Sequence, residues 1–285
     1  MSNSKAFDSI LIIMFENENA NLVLDNEYFK EKAQQGVRLT NNKGVTHPSQ
    51  PNYLATIAGS YFDRDTDDPV EIDHHKTIVD LLEKKEIDWK VYMEDLPDKY
   101  NRDKLTVVSS NKLYYRKHNP FVSFKRNQTT IRLNKIVNAE KNFENDVDAD
   151  TVPPFAWYGP NIQNCGHTVP TNPRVAGDSI KNIDFAAAWL KCFLEPLLNN
   201  SSFMKNRLIV LTFDEDYPIL PDHQLAPIYT VLLGDMVINP GTTQAGAYNH
   251  YSLLATIEKN FSLGNLGQND KDASTFDFLW EPLAL

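Results

Sequence analysis

Two long apolar runs in this chain end abruptly in acid. Ser9-Ile10-Leu11-Ile12-Ile13-Met14-Phe15 stops at Glu16-Asn17, and Arg207-Leu208-Ile209-Val210-Leu211-Thr212-Phe213 stops at Asp214-Glu215-Asp216. Between them in sequence, Thr46-His47-Pro48-Ser49-Gln50-Pro51-Asn52-Tyr53 holds a serine between two prolines, ahead of the apolar run Leu54-Ala55-Thr56-Ile57-Ala58. Proline fixes φ and keeps the residue before it out of helix. Ser49 is therefore expected on a stiff turn at the mouth of a helix, near backbone N–H groups that suit an anion. Carboxylates brought together repel and raise one another's pKa, and a divalent cation removes that conflict. Oxygen ligands of this kind suit Mg²⁺, Mn²⁺ or Ca²⁺ and can also serve Zn²⁺. Asn17 could add an amide oxygen. A serine hydroxyl is a poor nucleophile until something loosens its proton, and metal coordination is one means. The chain has no Gly-x-Ser-x-Gly elbow, Walker loop or dinucleotide fingerprint. Metal-assisted phosphoryl transfer at Ser49 is the chemistry these parts suit, with His118, His167 and His250 as donors to phosphoryl oxygens or as a general acid. Cys165 and His167, one residue apart, are weak evidence of a metal site on their own.

The elements that must position these groups follow a β-α-β rhythm. Continuous β-branched and aliphatic runs fit strands buried on both faces. Helical spacing predicts helices over residues 26–35, after Ser49, around Ile78–Leu82, over 183–198 with Cys192 in a structural place, and over 253–261. Strands are expected at 37–40, 88–94, 153–161 and 229–234. His74 and His75 read as surface residues ahead of a helix, and 138–150 as an exposed helix or loop. The fold class is α/β, a doubly wound, mainly parallel sheet with helices on both faces. In such a sheet functional groups collect beyond the carboxyl ends of the strands, so Glu16, Asp214 and Glu215 can meet on one edge.

A chain of 285 residues can be one large domain or two small ones, and the reading taken is one domain over 1–285 with a less regular, polar insert about 104–155. The formal charge of −10 argues against nucleic acid as a partner. It leaves a small phosphorylated substrate open, because a bound metal reverses the local sign. Two cysteines make no disulfide framework. No run reaches the ~18 apolar residues of a membrane span, so no stable membrane insertion is expected. The first residues lack the apolar core of a signal peptide. A cytoplasmic protein is expected if Met1 is the natural start, and a secreted one if the natural chain begins earlier.

Phe15-Glu16-Asn17, the stretch from Thr46 to Tyr53, Lys117-His118-Asn119-Pro120-Phe121, Gly159-Pro160-Asn161 with Gly166-His167, Phe213-Asp214-Glu215 and Tyr248-Asn249-His250-Tyr251-Ser252-Leu253-Leu254 come in the order of one family's motifs. They resemble the phosphoesterase family of acid phosphatases and phospholipases C, within the alkaline phosphatase-like superfamily. The resemblance implies Glu16, Asn17, Ser49, Asp214 and Glu215 as metal ligands, with Ser49 also the nucleophile. It implies His167 as general acid, and His118, His250 and Asn52 facing the phosphate. The loop before the catalytic histidine often reads Asn-Asp-x-His-Asp in the family. Here it is Asn164-Cys165-Gly166-His167-Thr168, with Cys165 as a tentative soft ligand. The expected function is a metal-dependent phosphatase acting on monoesters through a phosphoserine. A phosphodiesterase or phospholipase C needs the same serine and metal with a roomier leaving-group pocket. The altered loop motivates a third reading, a catalytically weakened phospho-ligand binding protein.

Overall fold

The computed structural model describes residues 5–97, 105–168, 179–237 and 239–280. In chain order the elements are β1 (Ser9–Phe15), α1 (Ala20–Asp25), α2 (Glu27–Gln35), β2 (Val37–Leu39), β3 (Asn42–Lys43), α3 (Ser49–Ala58), α4 (Ile78–Lys84), β4 (Trp89–Met93), α5 (Thr130–Leu133), β5 (Ile136–Asn138) and α6 (Ala139–Asp148). They continue with β6 (Phe155–Gly159), α7 (Ser179–Leu198), α8 (Ser201–Met204), β7 (Arg207–Phe213), β8 (Thr230–Leu233), β9 (Thr243–Gln244), β10 (Tyr248–Asn249) and α9 (His250–Asn260). One sheet runs in the order β5-β4-β6-β1-β7-β8-β2-β9. Every pairing in it is parallel except the two made by β8.

The unbroken apolar run of β1 is explained by what lies on its two faces. Ile10, Ile12 and Met14 pack on one side with Leu54 and Ile57 of α3, Val79 and Leu82 of α4, and Leu254 and Ile257 of α9. Leu11, Ile13 and Phe15 pack on the other with Val23 of α1, Phe29 of α2 and Leu190 and Leu194 of α7. A strand covered on both faces needs no polar alternation. The polar stretch 104–155 adds β5 and α6 to the far end of the sheet, reached through short 3₁₀ turns. His74 and His75 are exposed, as expected. Cys192 differs from its structural expectation: it lies on the outer side of α7 and is exposed. Among the described residues no helix is long and apolar enough to cross a membrane.

The segment after α9, which carries no readable motif, fastens the helix that begins at Ser49. α3 ends at Gly59 with φ +70°, and a Cβ there would meet Asp270 Oδ1 at 2.3 Å. Only glycine takes that backbone and that proximity without cost. Asn269 donates both its N–H and its amide to the Gly59 carbonyl, each at 2.9 Å. Asp270 accepts from the N–H groups of Leu266 (2.6 Å) and Gln268 (2.8 Å). Glu258 of α9 bonds Asp270, and burial, followed by the neighbouring Asp270, pushes its carboxyl up to about 9. The proton is thus held more tightly by the folded chain. Its stabilising contribution is complete below the ordinary value of 4.5 and is lost as pH rises toward 9. Glu258→Gln, whose amide can still donate to Asp270, should flatten this slope. The check is urea unfolding at about pH 5 and about pH 8, where the parent loses more stability than the variant.

Candidate active site

β1 and β7 pair in parallel with Phe15 opposite Phe213. The first residues beyond both strands, Glu16 and Asp214, therefore emerge side by side. The Asp214 N–H donates to the Phe15 carbonyl at 3.1 Å, and the Phe15 and Phe213 rings stack with centroids 5.1 Å apart. α3 brings the serine to the same edge. Ser49 Oγ lies 2.5 Å from Glu16 Oε1 and 2.8 Å from Glu215 Oε1, so its one proton has two carboxylate acceptors. Glu16, Asp214 and Glu215 each offer an oxygen, all within 4.8 Å of one another, and all three residues are buried. Asp214 Oδ2 accepts no hydrogen bond, and Glu16 Oε2 has His118 Nε2 beside it at 2.7 Å. Buried, close-set oxygens with unsatisfied lone pairs are a donor set for a divalent cation, and the residues present fit one.

The electrostatics point the same way. Burial would raise the Glu16 carboxyl. Lys117 Nζ at 3.3 Å, His118 Nε2 at 2.7 Å and His167 Nδ1 at 3.2 Å outweigh that and hold it well below the usual carboxylate range. Asp214 is pushed the other way, by burial first and then by the charges of Glu16 and Glu215. Burial also pushes Glu215 up, against the pull of its bond to His47. His47 Nδ1 bonds Glu215 Oε2, which raises the imidazole's affinity for its proton, and its Nε2 is 3.9 Å from Asp216 Oδ1. The protein's own cations thus keep one carboxylate of the three ionised. A bound cation would do the same for the others.

The other residues expected at the site divide into two sets. His118 is buried, lies face to face with Tyr53 at 5.2 Å, and is pushed down by burial against the attraction of Glu16. His167 sits on the loop after β6 with its side chain 26% exposed, against 3% for His118 and 5% for His47. Asn17 follows Glu16 and is half-buried. These remain at the carboxyl edge of the sheet. Three residues are engaged otherwise than expected. His250, at the first position of α9, sets Nε2 2.5 Å from the Asp214 backbone carbonyl, and burial pushes its imidazole down to about 4. It acts as a neutral donor that fixes the Asp214 backbone. Asn52 spends its amide on the loop before the serine, accepting from Val45 N at 2.7 Å and donating to Thr46 O at 2.7 Å and Pro48 O at 3.1 Å. Cys165 turns its thiol to the Ile162 carbonyl, and burial pushes the thiol up, away from the thiolate that a metal would take.

The anion seat expected at the start of α3 is also taken from within. Its N-cap, Pro48, offers no side-chain cap. Asp67, from the acidic loop ahead of α4, accepts the Gln50 N–H at 2.9 Å and also Lys117 Nζ at 2.8 Å. The Gln50 amide holds that loop by the carbonyls of Thr66 (3.1 Å) and Asp68 (2.6 Å). Asp67, Lys117 and His47 are the site residues that sequence reasoning did not single out. Lys117 and His47 stand next to residues that were, within the same motifs. Nothing local marks Asp67 among its acidic neighbours.

Fold and site together define a doubly wound, mainly parallel α/β sheet with an acidic, serine-bearing edge. The fold is that of the alkaline phosphatase superfamily. A member from Vibrio parahaemolyticus superposes with TM-score 0.59 at 13% identity, covering 99% of this chain and 72% of that one. A phosphonate monoester hydrolase from Agrobacterium radiobacter gives 0.60 at 12% identity over 97% and 78%. The chain belongs to the phosphoesterase family, whose model matches residues 25–264. It is 35% identical to an acid phosphatase of Aspergillus fumigatus over 96% of this chain and 59% of that one. It is 28% identical to a phosphatidylinositol-3-phosphatase of Mycobacterium tuberculosis over 92% and 79%. The chain spans about three fifths of the length of the acid phosphatases it matches.

A cation that binds only the folded chain should raise its stability by about 2.7 kcal/mol at a hundredfold excess over Kd. Thermal unfolding of chelator-treated protein, titrated with Mg²⁺, Mn²⁺, Ca²⁺ and Zn²⁺, is expected to show such a rise for at least one ion. In Asp214→Asn the rise should vanish while the metal-free protein gains stability, because one repelling buried carboxylate is gone. A parent Tm unmoved by all four ions would contradict the cation assignment.

Proposed function

We propose that the chain is one phosphoesterase domain acting as a metal-dependent phosphomonoesterase through a phosphoserine at Ser49. The observation that carries this reading is the Ser49 hydroxyl held between Glu16 Oε1 and Glu215 Oε1 at the carboxyl edge of the sheet. The acid phosphatases among its relatives support monoesters as the substrate class. Glu16, Asp214 and Glu215 would hold the cation, with Asn17 and Ser49 Oγ as further ligands. Bound there, it would loosen the serine's proton and offset charge on the phosphoryl oxygens.

The residues of the chain supply the rest. Glu16 and Glu215 fix the direction of Ser49 Oγ. Glu215, whose proton affinity burial raises, takes the serine's proton as the bond to phosphorus forms and returns it when the phosphoserine is hydrolysed. Lys117 places positive charge beside Glu16, where a phosphate dianion would otherwise be repelled, and His118, its proton affinity lowered by burial, adds a hydrogen-bonding ring nitrogen there. His167 has the solvent access that a leaving group needs, and it would protonate the departing alkoxide as the P–O bond breaks. It would then take a proton from the water that attacks the phosphoserine, releasing inorganic phosphate and restoring the serine.

Turnover of p-nitrophenyl phosphate tests the nucleophile. Ser49→Ala should lose at least about 10³-fold in kcat in a chain that still unfolds cooperatively, with Tm shifted by the loss of a buried hydroxyl between two carboxylates. Near-normal kcat would put the nucleophile elsewhere. A series of leaving groups tests His167. On an alkyl phosphate, His167→Ala should lose about 10²–10⁴-fold. On p-nitrophenyl phosphate the loss should be much smaller, because that leaving oxygen needs little protonation. An equal loss on both would remove His167 from the acid's role.

A further inference from the structure

Glu94, the residue after β4, is buried, and nothing in the reaction above uses it. Four donors converge on its carboxylate. Tyr158 OH of β6 and Trp189 Nε1 of α7 reach Oε1, each at 3.0 Å. The Asn161 N–H at 2.9 Å and the Asn164 amide at 2.6 Å reach Oε2. The first pair belongs to the layers of the fold. The second belongs to the loop that carries His167.

That loop is closed on itself. Asn161 Oδ1 accepts from the N–H groups of Gln163 (3.0 Å) and Asn164 (2.9 Å). The Asn161 carbonyl accepts the Cys165 N–H at 2.9 Å, and the Ile162 carbonyl accepts the Thr168 N–H at 3.1 Å. The Cys165 carbonyl in turn accepts the N–H of Glu16 at 2.9 Å. The backbone two residues before His167 is therefore tied to the residue that His167 Nδ1 faces at 3.2 Å. Glu94 joins this closed loop to the layers of the fold through one carboxylate with all four contacts filled by donors, and the neighbouring Asp95 Oδ2 also accepts the Asn161 side-chain amide at 2.9 Å.

We infer that Glu94 is a positioning residue for His167, acting through Asn161 and Asn164 to hold the 161–168 loop at a fixed distance from Glu16. Burial pushes the Glu94 carboxyl up to about 7, even though Asn161, Asn164 and Tyr158 pull it down. A carboxylate kept in so unfavourable a place is there for its acceptor geometry: an amide of the same shape turns N–H groups toward two of the four donors. Small misplacements of a catalytic group cost rate far more than they cost binding.

The inference rests on His167 as general acid, and the test separates the two. kcat and KM are measured on an alkyl phosphate and on p-nitrophenyl phosphate for His167→Ala, Asn164→Ala, Glu94→Gln and Tyr158→Phe, with Tm for each. Asn164→Ala and Glu94→Gln should lose about tenfold or more in kcat on the alkyl phosphate. Their KM should stay within about twofold, and their loss on p-nitrophenyl phosphate should be smaller. Tyr158→Phe removes a donor from the same carboxylate on the side away from the loop. It should lower Tm and leave kcat unchanged. If Glu94→Gln fails to fold, Asn164→Ala carries the comparison against Tyr158→Phe. A full kcat in Asn164→Ala beside a damaged His167→Ala overturns the positioning role and leaves the general acid standing. An equal kcat loss in Tyr158→Phe and Asn164→Ala reduces Glu94 to a structural residue. An undamaged His167→Ala overturns both.

Discussion

Three carboxylates buried around one serine hydroxyl cannot all remain ionised by themselves. The desolvation cost of each is several kcal/mol and their mutual repulsion adds to it. Lys117, His118 and His167 answer for Glu16. Asp214 and Glu215 are left with raised proton affinities. The chain thus carries at its sheet edge a charge imbalance that a divalent cation would resolve, and the same cation would activate the hydroxyl it lies beside. Stability and chemistry make the same demand of this site.

The fold meets that demand through few constraints. The register of β1 on β7 makes Glu16 and Asp214 neighbours. α3 is fixed at both ends from outside itself, by Asp67 at the Gln50 N–H and by Asn269 at the Gly59 carbonyl. Asn52 holds the loop before Ser49, and His250 holds the backbone of Asp214. The helix that carries the nucleophile is therefore held from two other segments of chain, and the backbone of Asp214 is held from a third. This agrees with the need to keep reacting atoms within a fraction of an ångström of their productive positions.

Much of this was legible in the sequence. Continuous apolar runs announce strands covered on both faces, and parallel strands deliver their carboxyl ends to one edge. Glu16, Asp214 and Glu215 could therefore be brought together from the sequence, and the resemblance to the family's motifs set Ser49 beside them. What sequence could not supply was the partner of each polar side chain. Asn52 and His250 have the right types for a phosphate, yet Asn52 bonds backbone N–H groups and carbonyls and His250 a backbone carbonyl. Asp67 lies in a loop without period, and its return to α3 depends on tertiary packing alone. The same holds for Asp270 and Glu258 in a tail without motif. Cys192 sits in a helix of mostly apolar spacing, and its outward orientation follows from which stripe of α7 faces the sheet.

The central claim is that Ser49 carries the phosphoryl group. Rapid acid quenching of the enzyme during steady turnover of an alkyl phosphate, followed by peptide mass spectrometry, reads this directly. The expected result is a phosphoryl adduct on the peptide containing Ser49, formed at least as fast as turnover and absent after chelation. Turnover with no adduct on any peptide, or an adduct on a residue other than Ser49, would contradict it.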